Sequence, residues 1–186
     1  MHNNRRFNPS ASNSEAWWRR AASGLMALVL GGVALVGCDV QHIAELEEGV
    51  STEADVRQRF GEPEAVWDEP AGVRVLEYNR QPAGYQNYMI AIGPDGKMAA
   101  LRQVLNTANL ATIAPGMPME TVRRRLGKPK SISQWPAKGE VHYDWRFQDG
   151  PNGSDAKIFT VVFSPDLRVL RTETTTDPDL IYQSGR

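Results

Sequence analysis

Hydrophobic and polar positions along this chain fall into a pattern that is written twice. "VRQRFGEP" begins at Val56 and "VRRRLGKP" at Val122, both fitting Val-x-x-x-(Phe/Leu)-Gly-x-Pro. An offset of 66 superposes Val56 on Val122, Phe60 on Leu126, Gly61 on Gly127 and Pro63 on Pro129. Order and pattern persist for about 60 residues beyond, since "GVRVLEYN" from Gly72 falls on "GEVHYDWR" from Gly139, and Ile92–Asp95 on Phe163–Asp166. A fixed period of this kind is the mark of a repeated structural unit.

Each unit opens on a short amphipathic helix. Val56 and Phe60 lie four apart in the first; Met119, Val122 and Leu126 make the same apolar stripe in the second. Thr52 and Asp55 fit a capping box, and Pro118 suits the first helical position. Gly61 and Gly127 are expected as left-handed C-caps, with Pro63 and Pro129 forbidding continuation. Strand signal follows: Val141, Tyr143, Trp145 and Phe147 alternate with His142, Asp144, Arg146 and Gln148. Leu76 and Tyr78 against Glu77 and Asn79 repeat it more weakly, and Tyr88, Ile90 and Ile92 correspond to Phe159, Val161 and Phe163. Turns at Gly93–Gly96 and Ser164–Asp166 lead to a last strand from Met98 or Leu167. The expectation is α+β, as two tandem units, each of one or more helices on a three-stranded antiparallel meander. Residues 46–105 form the first unit and 106–173 the second. "HIAELEEGV" and "NTANLATIAPG" are candidates for extra helical turns, and a tail of few apolar anchors, expected to be mobile, runs over 174–186.

Residues 1–37 follow a different pattern: the arginine-bearing "RRFNPSASNSEAWWRR" precedes the apolar "AASGLMALVLGGVALVG". This reads as an export signal. It ends on Leu35-Val36-Gly37-Cys38, which fits a lipobox, with cleavage after Gly37 and diacylglyceryl transfer to the Cys38 thiol. Cys38 is the only cysteine, so no internal disulfide competes for it. Multiple acyl chains, at about 0.8 kcal/mol per buried methylene, give a lasting anchor, and 38–45 reads as a tether.

Charge then narrows the function. The 37 leading residues hold four of 21 basic and one of 22 acidic side chains, so the remainder is acidic, near −4. A nucleic-acid binder would show the opposite bias. Catalytic residues are scarce: after the signal only His42 and His142 remain, with no phosphate loop, no Gly-x-Ser-x-Gly and no cysteine–histidine pairing. His142, Asp144 and Arg146 share one strand face, the one arrangement from which a hydrolase could be built. The reading is not an enzyme, with no catalytic residue, metal, cofactor or small-molecule substrate. Arg57, Arg59, Arg123, Arg124 and Arg125 lie near helix C-termini, where cations offset the macrodipole. Arg123, Arg124 and Arg125 are also the candidate contacts to lipid phosphate or an acidic partner. Trp67, Trp135 and Tyr85, in or near loops, are candidate partner contacts.

The lipobox, the twice-written helix stop and the aromatic meander together resemble the SmpA/OmlA family, the BamE-like outer-membrane assembly lipoproteins. The resemblance covers about residues 44–105 and again 112–173. It implies a periplasm-facing, membrane-anchored lipoprotein that binds subunits of the β-barrel assembly machine and anionic lipid without catalysis. The usual member holds one such unit, whereas this chain holds two. The family implies the outer membrane; Asp39, directly after Cys38, is instead the residue that retains enterobacterial lipoproteins in the inner membrane. Tandem helix-plus-sheet units also resemble the repeats of β-lactamase inhibitory proteins, which implies the alternative function of binding and inhibiting, or sensing, a periplasmic enzyme.

Overall fold

The computed structural model describes residues 43–149 and 155–179. The signal segment, Gly37, Cys38 and Asp39 lie outside the described residues, as does the tail beyond 179. The described residues belong to one compact unit.

Element order is the same in both repeats. In the first, helix α1 (Glu53–Phe60) precedes strands β1 (Ala65–Asp68), β2 (Arg74–Asn79), β3 (Asn87–Ile92) and β4 (Met98–Gln103). In the second, a single turn α2 (Thr107–Leu110) and helix α3 (Met119–Leu126) precede β5 (Ser131–Trp135), β6 (Glu140–Asp149), β7 (Asp155–Phe163) and β8 (Val169–Thr176). The class is α+β, with two antiparallel sheets ordered β1-β2-β3-β4 and β5-β6-β7-β8. Each sheet therefore has four strands where the sequence pattern gave three. The extra strands, β1 and β5, are short edge strands: β5, Ser-Ile-Ser-Gln-Trp, is exposed throughout. A strand buried on neither face carries no alternation of apolar residues, and β1, partly buried on one face, is only four residues long, too short for a period to show.

Helix starts follow from local chemistry. Thr52 Oγ1 accepts the Asp55 amide at 3.3 Å while Asp55 Oδ2 accepts the Thr52 amide at 2.8 Å, closing the expected box. Thr52→Ala is expected to lower stability by about 1 kcal/mol, read from urea unfolding midpoints. In the second repeat Pro118 is the N-cap, one position earlier than expected, and its φ of −64° leads into the helix. Both helix starts are tied to a hairpin turn: Glu53 N donates to Gly96 O, and Met119 N to Leu167 O.

The helix ends differ from expectation. Gly61 (φ 81°, ψ −160°) and Gly127 (φ 78°, ψ −173°) are not left-handed helical; they occupy the extended positive-φ region that only glycine enters freely. The reason is direction: ψ near 180° sends the chain straight out of the helix into the segment that becomes the first strand. Tyr78 Oη donates to Gly61 O at 3.1 Å and Trp145 Nε1 to Gly127 O at 2.9 Å, the same bond in each repeat. Burial pushes the Tyr78 phenol up to about 12.

Two cores result. Val56 and Phe60 lie on Leu76, Tyr78, Tyr88, Ile90 and Ile92, with Ile43 and Leu46 alongside. Val122 and Leu126 lie on Trp145, Phe147, Phe159, Val161 and Phe163, so the aromatic row of β6 faces inward as its alternation predicts. The last strand continues to Thr176, and Asp177 beyond it is fully buried against Arg146, so residues 174–177 of the segment expected to be mobile are anchored. The anchor is ionic and invisible to a count of apolar residues.

Candidate functional site

The polar face of sheet β1–β4 is where the repeats meet. Glu77 and Asn87 sit on that face and are both fully buried, which an isolated unit could not achieve. What covers them is the end of α3. Glu77 Oε2 accepts Arg123 Nη1 at 2.6 Å, and Glu77 Oε1 accepts the Lys128 amide at 2.8 Å. Asn87 Nδ2 donates to Leu126 O at 2.8 Å and Lys128 O at 3.2 Å, while its Oδ1 accepts the Arg80 amide. These are the carbonyls that a helix end leaves without partners, and a neighbouring sheet supplies the donor. The layers thus run α1, first sheet, α3, second sheet, with the apolar stripe of α3 on the second sheet and its polar stripe on the first.

The three candidate arginines are placed by this junction. Arg123 is held by Glu77 and lies 5.9 Å from the Trp67 ring centroid. Arg124 lies 4.8 Å from the same centroid and pairs with Glu69 and Glu120. Cation–ring contacts of this kind are worth about 0.5 to 1 kcal/mol at exposed sites. Arg125 is exposed and donates to Thr112 Oγ1 at 3.0 Å. Trp67, expected near a loop, is in β1 and serves the junction. Tyr85 does the same from the loop between β2 and β3, with the Arg146 guanidinium 5.2 Å from its centroid. From that loop Gln81 acts like a strand: its Nε2 donates to Arg146 O at 2.8 Å and its Oε1 accepts the Arg146 amide at 3.1 Å, sealing β6 beyond the end of β5.

His142, Asp144 and Arg146 share a face, as their spacing requires, but each answers to a different group. His142 Nε2 meets Glu140 Oε2 at 2.9 Å and stacks near Trp135. Asp144 accepts Ser131 Oγ at 3.0 Å and Thr160 Oγ1 at 2.7 Å. Arg146 is bound to Asp177 and Asp179. Burial pushes the Asp177 carboxyl up, yet its bonds to Arg146 and the Asp179 amide hold it below the usual range. No nucleophile–base pair is assembled from the trio. Among the described residues no group of three or more His, Cys, Asp or Glu side chains could hold a metal, and no helix is long and apolar enough to cross a membrane.

Glu140 is the site's most perturbed carboxyl: the Arg171 guanidinium first, and His142 second, hold it at about 2. A depressed carboxyl stabilises fully above its unfolded value and loses that contribution as pH falls towards the folded one. The window is therefore from about pH 4.5 down to about 2. Carboxyl carbon NMR of Arg171→Ala is expected to show Glu140 titrating higher, towards its ordinary value.

The remaining surface features are open. Ile132 and Trp135 on β5 are 55% and 48% exposed, and Leu170 on β8 is 44% exposed. A cleft of about 350 Å³ lies on the inner face of the second sheet, with a floor of Leu110, Ile113, Phe147 and Phe159 and a rim that includes Thr172 and Thr174.

Residues 103–173 match the family model for the outer membrane protein assembly factor BamE domain. The second repeat is similar to that domain. The match begins at the end of β4 and takes in α2, α3, β5 to β7 and the first part of β8, leaving residues 43–102 outside. No curated protein matches the chain. A DUF4309 family protein, YjgB of Bacillus subtilis, is similar among solved structures at 19% identity, over 72% of this chain and 83% of that one, with a TM-score of 0.28. The matched segment thus contains the polar stripe of α3 that docks on the first sheet, and it contains all three candidate arginines.

Glu77, Asn87 and Gln81 escaped the sequence reading. Glu77 and Asn79 read as the solvent face of a half-buried strand, and a glutamate there is ordinary. Nothing local marks it as buried, because its cover comes from α3, 46 residues further on.

Proposed function

We propose that this chain is a lipid-anchored, periplasm-facing scaffold in the assembly of outer-membrane β-barrel proteins, built from two BamE-like units. The match of residues 103–173 to an assembly-factor domain is the observation that carries the reading. The anchor is an acylated Cys38, exposed by cleavage after Gly37, and the outer membrane is the favoured location. The partners are subunits of the β-barrel assembly machine and anionic lipid, engaged through surface complementarity. Of the three candidate arginines, Arg125 and the outer side of Arg124 are left for such contacts, because Arg123 is held by Glu77. The first repeat, which has the same element order, is assigned to the same family on its helix motif.

Cross-linked chain captured from separated inner and outer membranes, with Cys38→Ala as control, tests this. Recovery of β-barrel assembly subunits with the outer membrane, lost in the control, is the expected result. Recovery of a soluble periplasmic enzyme instead would sink the assembly role and favour inhibition or sensing; recovery from the inner membrane alone would make Asp39 the sorting residue.

A further inference from the structure

The two repeats differ in how they finish their last strand. In the first, the outward amide of Leu101 on β4 donates to Glu48 Oε1 at 2.9 Å, and the Leu101 side chain packs on the core. By register Leu101 lies opposite Ile90, as Thr172 on β8 lies opposite Val161, so Thr172 is its counterpart. Here a threonine stands where the first repeat has leucine, on the rim of the 350 Å³ cleft, and no described group meets its amide. An unguarded strand edge is a template for another strand.

Which amides face outward follows from pairing. Asp177 N donates to Ala156 O directly opposite it, so Thr175, Glu173 and Arg171 share its bonded phase with β7, and Thr172 and Thr174 point their backbone groups away. Val169 is already taken by Gly116 and Met117, and the register shift between Val162 and Phe163 makes Leu170 a bulge residue, so the regular open stretch begins at Arg171. It reads Arg-Thr-Glu-Thr-Thr-Thr, with no lysine or proline to block pairing. Its charges select the occupant. Antiparallel pairing with a second copy about a two-fold axis at Thr172 sets Arg171 opposite Glu173 in both directions; the axis moved to Glu173 sets the two glutamates against each other. Both side chains are about half exposed, Arg171 at 45% and Glu173 at 46%. Opposite charges across a pair stabilise and like charges destabilise.

We propose that the β8 edge is a self-association surface, on which two copies pair antiparallel about Thr172, from Arg171 to Glu173, to make one continuous eight-stranded sheet. Such an interface is isologous, the commonest form of dimer. The inference does not depend on the assembly role, since it rests on the edge alone.

The test uses the full chain with Cys38→Ala in detergent solution. Thr172→Cys is expected to form an inter-chain disulfide under mild oxidation, because residues on the axis have Cα atoms about 5.5 Å apart, within disulfide reach. Ser133→Cys, at the middle of the equally exposed β5 edge, is expected not to. Glu173→Arg sets like charges opposite twice, and should lower the cross-linked fraction by about tenfold. Light scattering should give a dimer mass that Glu173→Arg reduces. A monomer at all concentrations with no preferential Thr172 linkage would overturn the proposal. So would linkage through Ser133, or Thr172 linkage that Glu173→Arg leaves unchanged.

Discussion

Glu77→Ala is expected to destabilise the protein by about 3 to 5 kcal/mol, the range for removing one partner of a buried ion pair. The carboxylate is fully buried and meets three donors: Arg123 Nη1, the Lys128 amide and, at 3.4 Å, Trp67 Nε1. Alanine leaves the Lys128 amide without its acceptor and the Arg123 guanidinium, 19% exposed, without its counter-charge. Glu77→Gln keeps two acceptor lone pairs and should lose less. Urea unfolding of the three proteins decides it; a loss under about 1 kcal/mol for alanine would mean that water or a rotated arginine replaces the carboxylate.

The second large effect distinguishes two copies of one motif. Gly61→Ala and Gly127→Ala both place a Cβ at an extended positive φ, a conformation that costs about 1 to 3 kcal/mol for other residues. At Gly61 that Cβ meets nothing within 4 Å. At Gly127 it would lie 2.8 Å from Asn87 Nδ2, whose amide is buried and committed to Leu126 O and Lys128 O. Overpacking adds about 1 to 3 kcal/mol. Gly127→Ala is therefore expected to cost about 3 to 4 kcal/mol and Gly61→Ala about half of that. Equal losses in thermal or urea unfolding would show that Asn87 gives way freely.

Much of the fold is legible because the chain repeats it. Helix ends at Gly61 and Gly127, and the inward aromatic row of β6, follow from periods of 3.6 and 2 that local sequence carries. The edge strands β1 and β5 do not, because β1 is only four residues long and β5, exposed throughout, imposes no apolar period. The candidate site is legible in part. Arg123 and Arg124 were singled out by position, but the reading by dipole or lipid names no partner, and the partner is Glu77 and Trp67 of the other repeat. Glu77, Asn87 and Gln81 were unreadable for one reason: each is a polar residue whose burial or bonding depends on an element dozens of residues away.

Because α3 lies between both sheets, its residues answer to two sheets at once. Val122 and Leu126 are fixed by the second sheet while Arg123 and the carbonyls around Gly127 are fixed by the first. On α1, Arg57 and Arg59 meet only acids and a carbonyl of their own neighbourhood. The two helices therefore have unequal room for change, since a neutral change in the α1 arginines is a junction defect in α3. The same sharing means that neither half can be cut free at the linker and keep its surface: the first would bare a buried glutamate and asparagine, and the second an arginine matched to a carboxylate it no longer has.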